Sequence, residues 1–351
     1  MIEIHTFEGT AAEFSEFVTT TWRRTYEGKM PVPLWGRDFL ERELLLDGEE
    51  RPYVVAAYDG TKMVACHPGR PIRIRLHGEQ LNASLGSFLS VDPDYRRQGI
   101  AARMHQEFER RHHERGDVVN FGFLYYRTAR SMGKKFWLKQ PKGVVPTRKV
   151  GHWVRPLGHR AVADSQLWKF ERWGTRALSL SQRPIRPPGD MSGIRAYRNE
   201  DLPACLALVE EVGRSADLAY LWDEASLGRQ LQYKDLTRTV VLQREGRVAG
   251  LINYYLIDIL EKHPLPTAVI DLVAFGTLPS AERRRLLRAA MSQMVDEGLE
   301  ATIVLRGSWY GWRTLAWAGF FPIPSEYYYA GTKMRDDVPL ENIRRMHVLW
   351  R

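Results

Sequence analysis

Ser87-Phe88-Leu89-Ser90-Val91-Asp92-Pro93-Asp94-Tyr95-Arg96-Arg97-Gln98-Gly99-Ile100-Ala101-Ala102-Arg103-Met104 is the most informative stretch of the 351-residue chain. A strand pattern ends at Val91, and Pro93 stops it because proline removes a ladder donor. Arg96 to Ala102 then leads straight into a helical pattern. The first turn of a helix leaves N–H groups unpaired and carries partial positive charge, so it binds anions. Gly99 permits close approach of the backbone to a ligand, and Ala101 keeps the surface low. Arg96, Arg97 and Arg103 add full charges. The expectation is a strand–loop–helix that binds a pyrophosphate.

The flanking sequence supplies the elements around this motif. Upstream, Ala11–Tyr26 reads as a helix with Phe14, Phe17, Val18 and Trp22 on one stripe, and Trp35–Leu46 as a second. Pro52–Tyr58 and Lys62–Cys66 flank Asp59-Gly60, a hairpin signal. Ile72–Leu76 and Leu81–Val91 continue as strands. Downstream, a helix over Ile100–Glu114 precedes a strand over Val118–Tyr126, a short helix over Thr128–Leu138 and an extended Val144–Val154. Ser165–Leu180 reads as a bridging helix. Arg183-Pro184-Ile185-Arg186-Pro187-Pro188-Gly189-Asp190 cannot sit in a helix interior and reads as a linker. After it the element order restarts, with a strand at Ile194–Tyr197, a hairpin around Glu245-Gly246-Arg247, a strand at Ala268–Phe275 and a helix over Ser280–Glu297. Three parts follow: a domain over 1–160, a bridge over 161–190 and a second domain over 191–351.

Composition bounds the function. Apolar residues make up 44% and charged residues 26%, ordinary for a globular protein. No apolar run approaches the ~20 residues that span a bilayer. The start, Met1-Ile2-Glu3-Ile4-His5, lacks the basic and apolar segments of a signal peptide. Cys66 and Cys205 are the only cysteines, which excludes a disulfide scaffold or a CxxC site. No histidine spacing suggests a metal. A cytoplasmic protein without metal or membrane partner is expected. The net charge is +9, and Arg127 to Arg160 holds ten Lys and Arg with no acidic residue. Such a block attracts anionic partners: nucleotide phosphates, an acidic substrate, an acidic carrier protein or RNA.

The 87–104 segment resembles the acyl-CoA signature of the GNAT-type N-acyltransferases, Q/R-x-x-G-x-G/A, carried here by Arg96, Gly99 and Ala101. The resemblance implies two tandem GNAT-like domains of α/β (α+β) class, each a mixed, mostly antiparallel sheet flanked by helices. It implies acetyl-CoA or another acyl-CoA as co-substrate. The backbone through Arg97, Gln98, Gly99, Ile100, Ala101 and Ala102 would cradle the pyrophosphate, while Leu89, Ser90 and Val91 border the pantetheine arm. Ile194-Arg195 with Glu200-Asp201-Leu202-Pro203, and Trp317-Ala318-Gly319-Phe320, resemble the same fold in the second half. There Thr277 to Arg285 lacks the glycine pattern, so that half is degenerate.

Acyl transfer to an amine needs a neutral amine, a donor for the oxyanion and a proton for the leaving thiolate. In the family the oxyanion donor is a strand-end N–H, here that of Val91. A tyrosine on the later short helix commonly protonates the thiolate, and that position aligns with Ser131. Tyr125 and Tyr126 lie just upstream and alternate between the two faces of their strand. No glutamate occurs between Asn82 and Val91, where a base is common. His105, His112 and His113 read as surface residues of the signature helix. One tandem aminoglycoside acetyltransferase family uses its terminal carboxylate, which points to that of Arg351. The aromatic cluster of Trp309, Tyr310, Trp312, Trp317 and Tyr327–Tyr329 reads as core or interface. The expected function is transfer of an acyl group, acetyl first, to a small-molecule amine, anionic or carried on an acidic protein. The alternatives are a Fem-type transferase using aminoacyl-tRNA, for which nucleic acid is a less favoured partner, and a non-catalytic CoA-binding module.

Overall fold

The computed structural model describes the chain other than residues 47, 126–135, 138–143, 183, 308–310 and 324–326. The chain forms two compact units. Unit 1 comprises Met1–Lys149, 326–343 and Arg351; unit 2 comprises 150–325 and Arg344–Trp350. The units therefore do not follow a single cut in the sequence.

In unit 1, β1 (Ile2–Thr6), β3 (Val54–Asp59), β4 (Lys62–Leu76) and β5 (Glu79–Gly86) pair antiparallel in that order. A two-residue strand, β6 (Ser90–Val91), continues β5 along β4. β7 (Val119–Tyr125) lies parallel to β5, and β16 (Tyr327–Lys333) closes the sheet antiparallel to β7. β2 (Val32–Leu34) links helix α1 (Ala11–Tyr26) to α2 (Arg37–Leu44). Thr10 starts α1 through a capping box. Its N–H donates to Glu13 Oε2 (2.7 Å) and the Glu13 N–H donates to Thr10 Oγ1 (3.3 Å). α3 (Ile100–Glu114) buries Ile100 and Met104 against Val55, Ala57, Val64 and Ala65 of the β3–β4 hairpin.

Unit 2 repeats this wiring. β9 (Ile194–Ala196), β11 (Thr237–Arg244), β12 (Arg247–Leu260) and β13 (Pro264–Ala274) pair antiparallel, and β14 (Ala301–Arg306) adds parallel to β13. The closing antiparallel strand is β8 (Val145–Pro156), and β15 (Phe321–Pro322) also pairs with it. β10 (Leu218–Leu221) pairs parallel with β17 (Met346–His347). The helices are α4 (His159–Ser165), α5 (Lys169–Ser181), α6 (Leu202–Arg214), α7 (Glu224–Leu231), α8 (Ser280–Asp296) and α9 (Trp312–Trp317). α8 packs Leu286, Leu287, Ala290 and Met294 into an apolar core, with Ile252, Tyr254 and Ile270 from the sheet.

In each unit the strand beyond the parallel pair comes from a remote part of the chain. β16, from the C-terminal region, completes unit 1, and β8, from before the proline-rich segment, completes unit 2. Tyr329 of β16 is buried and stacks on Phe121 of β7 at 5.1 Å, so this tyrosine belongs to the core of unit 1. Among the described residues no helix is long and apolar enough to cross a membrane.

Candidate active site

The site begins with an interruption of the β4 ladder. β4 pairs with β5 as far as Gly69↔Gly86 and resumes with β6 at Cys66↔Ser90. Between them Ser87–Leu89 bulges, and Phe88 adopts a left-handed φ of 54°. A non-glycine residue held there costs about 1–3 kcal/mol unless its surroundings over-determine it. They do: the Phe88 carbonyl accepts from Ser90 Oγ (2.8 Å) and from Cys66 Sγ (3.6 Å), and Ser90 Oγ accepts from Trp22 Nε1 (3.0 Å). Trp35 meets the Phe88 ring edge-on at 5.1 Å and Trp22 at 4.6 Å, and Phe39 lies 6.3 Å from Phe88. The α1–α2 side of the bulge is therefore packed with aromatic rings.

On the other side the sheet opens. β7 pairs with β5 only at Ser84↔Asn120 and Leu85↔Phe121. Among the described residues no pairing joins β7 to β6. The Asp92 N–H donates to Val64 O (2.9 Å), so by antiparallel alternation the Val91 N–H points away from β4. Among the described residues the Phe88 and Leu89 N–H groups have no acceptor either. The Val91 N–H thus faces the opening, an edge donor onto which an extended ligand can add.

Asp92 fastens the next turn by accepting the Asp94 N–H (3.1 Å) and pairing with Arg24 (2.8 Å) and Lys62 (3.3 Å). Arg97 (φ 64°) and Gly99 (φ 75°) then take left-handed conformations, and Arg97, Gln98 and Gly99 are exposed. Gly99 caps α3 without any side-chain hydrogen bond, and the first helical bond runs from the Arg103 N–H to Gly99 O (3.1 Å). The N–H groups of Ile100, Ala101 and Ala102 thus precede any intrahelical partner, the arrangement that suits a phosphate. Arg96 turns the other way. Its Nε donates to Val91 O (3.2 Å) and its Nη2 to Thr25 Oγ1 (2.6 Å). It ties the loop to β6 and α1, which leaves Arg97 as the cation of this loop that faces solvent.

A buried charge cluster lies on the α2 side of the bulge. Glu43 accepts from Arg42 Nε (2.9 Å), Arg70 Nη1 (2.9 Å) and Arg351 Nε (2.7 Å). Burial alone would raise its carboxyl, but the guanidiniums of Arg351, Arg42 and Arg70 pull it down to about 2. Glu43 is an anion at every working pH and not a proton acceptor. With Arg70 and Arg351 it lines a small cleft bordered by Gly69, Ser87 and Phe88.

Residues 8–134 match the family model of the acetyltransferase (GNAT) domain. This part of the chain is a GNAT domain. Solved structures of Saccharomyces cerevisiae N-myristoyltransferase with bound myristoyl-CoA share the fold. One is 12% identical, with a TM-score of 0.77 over 94% of this chain and 78% of that one. Another is 13% identical, with a TM-score of 0.77 over 94% and 82%. No curated protein matches the chain by sequence.

Within the GNAT domain, Tyr125 is the last residue of β7, its backbone opposite Tyr327 of β16. Tyr126 and Ser131 lie outside the described residues, as does most of the helix expected over Thr128–Leu138. The histidines differ from their surface reading. His105 and His112 of α3 are buried with His67 of β4. His67 stacks on Phe108 (4.2 Å) with its Nε2 3.4 Å from His105 Nδ1, and His112 Nδ1 lies 2.6 Å from Asp117 Oδ2. Gly69 is required beside them, since a Cβ there would collide with His112 and Phe108. Four residues of the basic block are among the described ones. Arg148 and Lys149 belong to unit 1, while in unit 2 Arg155 is buried and Arg160 is exposed beside Asp164. The other basic residues of the block lie outside the described ones. Among the described residues no group of three or more His, Cys, Asp and Glu is placed to hold a metal ion.

Proposed function

We propose that the GNAT domain moves an acetyl group from acetyl-CoA to the amine of a small molecule that also carries an anionic group. The observation that carries this reading is the continuity between the sheet opening and the start of α3. Val91, whose N–H faces the opening, stands eight residues before Gly99, which exposes the first N–H groups of the helix. Pantetheine pairs along Leu89, Ser90 and Val91, and the pyrophosphate rests on the backbone from Arg97 through Gln98, Gly99, Ile100 and Ala101 to Ala102, with Arg97 supplying charge. Arg96 acts through the loop.

In the reaction the amine nitrogen bonds to the thioester carbon and the C–S bond breaks. The Val91 N–H stabilises the carbonyl oxygen as charge develops on it. The leaving thiolate takes a proton from Tyr125, Tyr126 or Ser131, and the amine gives up its proton to solvent. The rings of Trp22, Trp35, Phe39 and Phe88 fill the α1–α2 side of the bulge, which favours a two-carbon acyl group over a long chain. Arg70, part-exposed at the neighbouring cleft, favours an anionic acceptor. Cys66 and Cys205, both free and buried, suit a reducing cytoplasm.

The test is release of free CoA thiol from acetyl-CoA over panels of neutral and carboxylate-bearing amines, repeated with myristoyl-CoA. Turnover with acetyl-CoA and a carboxylate-bearing amine supports the reading. Turnover confined to myristoyl-CoA overturns the acyl group. CoA binding with no turnover on any amine returns the module reading.

A further inference from the structure

Unit 2 carries a set of large apolar side chains that stand exposed. On α5, Phe170 is 72% exposed, Trp173 75% and Leu180 91%, and Ala177 between them is exposed too. At 3.6 residues per turn these four fall within a sector of about 80°. The opposite face holds the helix in place, with Thr175 buried and Gln166 Nε2 donating to its Oγ1 (2.8 Å). Lys169 lies along one border of the apolar stripe, beside Arg176, which pairs with Asp164 at 3.1 Å. The end of α5 reaches α9, where Gln182 Nε2 donates to the carbonyl of Gly319 (2.8 Å). On α9, Trp312 is 59% exposed and Trp317 51%. Arg284 and Arg288 of α8 both sit 5.0 Å from the Trp317 ring centre, and Arg313 sits 5.7 Å from that of Trp312.

We propose that this face of unit 2 rests on an anionic lipid bilayer. Soluble proteins scatter single apolar residues over their surface but seldom align so many large ones. Tryptophan, phenylalanine and leucine bordered by lysine and arginine make the composition of a helix lying in the membrane interface. The aromatic rings take the headgroup–acyl boundary, and the bordering cations meet lipid phosphates. Side chains exposed to this extent project outward, which fits a fluid bilayer better than the pocketed surface of a protein partner. The association is peripheral, through side chains of two short helices. It is independent of the acetyl-transfer reading, because none of these residues belongs to the GNAT domain.

The experiment is co-sedimentation of the full chain with vesicles of phosphatidylcholine alone and of phosphatidylcholine with about 30% phosphatidylglycerol, at about 0.1 M and about 1 M salt. The parent should bind the anionic vesicles, and salt should weaken binding. The double variant Phe170→Asp/Trp173→Asp should bind them about tenfold or more weakly, through loss of apolar insertion. Arg284→Gln/Arg288→Gln should lose the preference for anionic lipid while its circular dichroism spectrum and cooperative thermal melt match the parent's, which shows intact folding. No binding to anionic vesicles, or equal binding by the Phe170/Trp173 variant, overturns the proposal. A concentration-dependent dimer in light scattering that the same variant abolishes also overturns it and assigns the face to a second copy of the chain.

Discussion

The Arg96 guanidinium donates to the backbone carbonyl of Val91 at 3.2 Å, joining the loop that starts α3 to the strand that borders the sheet opening. The bond fastens the loop, and on the proposed reading Arg97 offers its charge to the phosphate. Arg96→Ala removes this bond and the one to Thr25. Bonds of this charged kind are worth about 1.5–3 kcal/mol each where buried, less where partly exposed. The expected outcome is a lower melting temperature and weaker CoA binding together. Arg97→Ala should weaken CoA binding and leave the melting temperature of the ligand-free protein unchanged. Calorimetry and thermal melts on both variants separate the two roles; a reversed pattern contradicts the assignment.

Glu43 accepts hydrogen bonds from the Arg42, Arg70 and Arg351 guanidiniums. Glu43→Gln removes the carboxylate that pairs with these guanidiniums and should destabilise the protein by about 3–5 kcal/mol. Because the folded carboxyl lies at about 2 against an ordinary 4.5, its contribution is complete above about pH 4.5 and disappears as pH falls towards 2. Chemical denaturation across that range should show the parent losing stability on acidification more steeply than the variant.

The buried histidines add a second acid-sensitive window. Burial holds His67 well below its ordinary 6.5, with His105 and His112 adding repulsion. Burial also lowers His112, although Asp117 opposes it. In unit 2, burial and then Arg306 lower His152 to about 4. Groups buried uncharged stabilise fully above the unfolded value near 6.5, and the contribution falls as pH drops below it. His67→Phe, which keeps the stack on Phe108, should flatten the fall in melting temperature between pH 7 and 5 without abolishing it. An unchanged slope would show that His67 carries no part of it.

Loss of the proton donor to the thiolate typically costs about 10²–10⁴-fold in turnover. Tyr125→Phe and Tyr126→Phe should differ, one reducing kcat with CoA affinity unchanged and the other near the parent. If both single variants and the double variant retain full turnover, Ser131 or water protonates the thiolate.

What was readable in the sequence is what is local. Pro93, Gly99 and the apolar spacing of α3 act on their own neighbourhood, so the strand–loop–helix could be read from Ser87–Met104. Contacts set across the chain had no local trace. Arg351 reaches Glu43 across 308 positions, and β16 pairs with β7 across some two hundred. Adjacency alone had placed Tyr327–Tyr329 with the second half. The histidines were legible in principle: His105, Phe108 and His112 stand at i, i+3 and i+7, one helical stripe beside Met104. Reading them by polarity rather than by spacing set them at the surface.

The central claim is that acyl-CoA lies along the sheet opening with its pyrophosphate on the start of α3. Gly99 tests it most directly. Its φ of 75° disfavours any β-branched residue, yet a Cβ there meets no protein atom within 4 Å. Gly99→Val should therefore fold with a modest cost of about 1–2 kcal/mol while placing its side chain where the pyrophosphate must sit. Calorimetric titration of acetyl-CoA into the parent and into Gly99→Val should show one site in the parent and binding lost or weakened at least about a hundredfold, some 2.7 kcal/mol, in the variant. Equal affinity in both proteins, or no binding by the parent, contradicts the account.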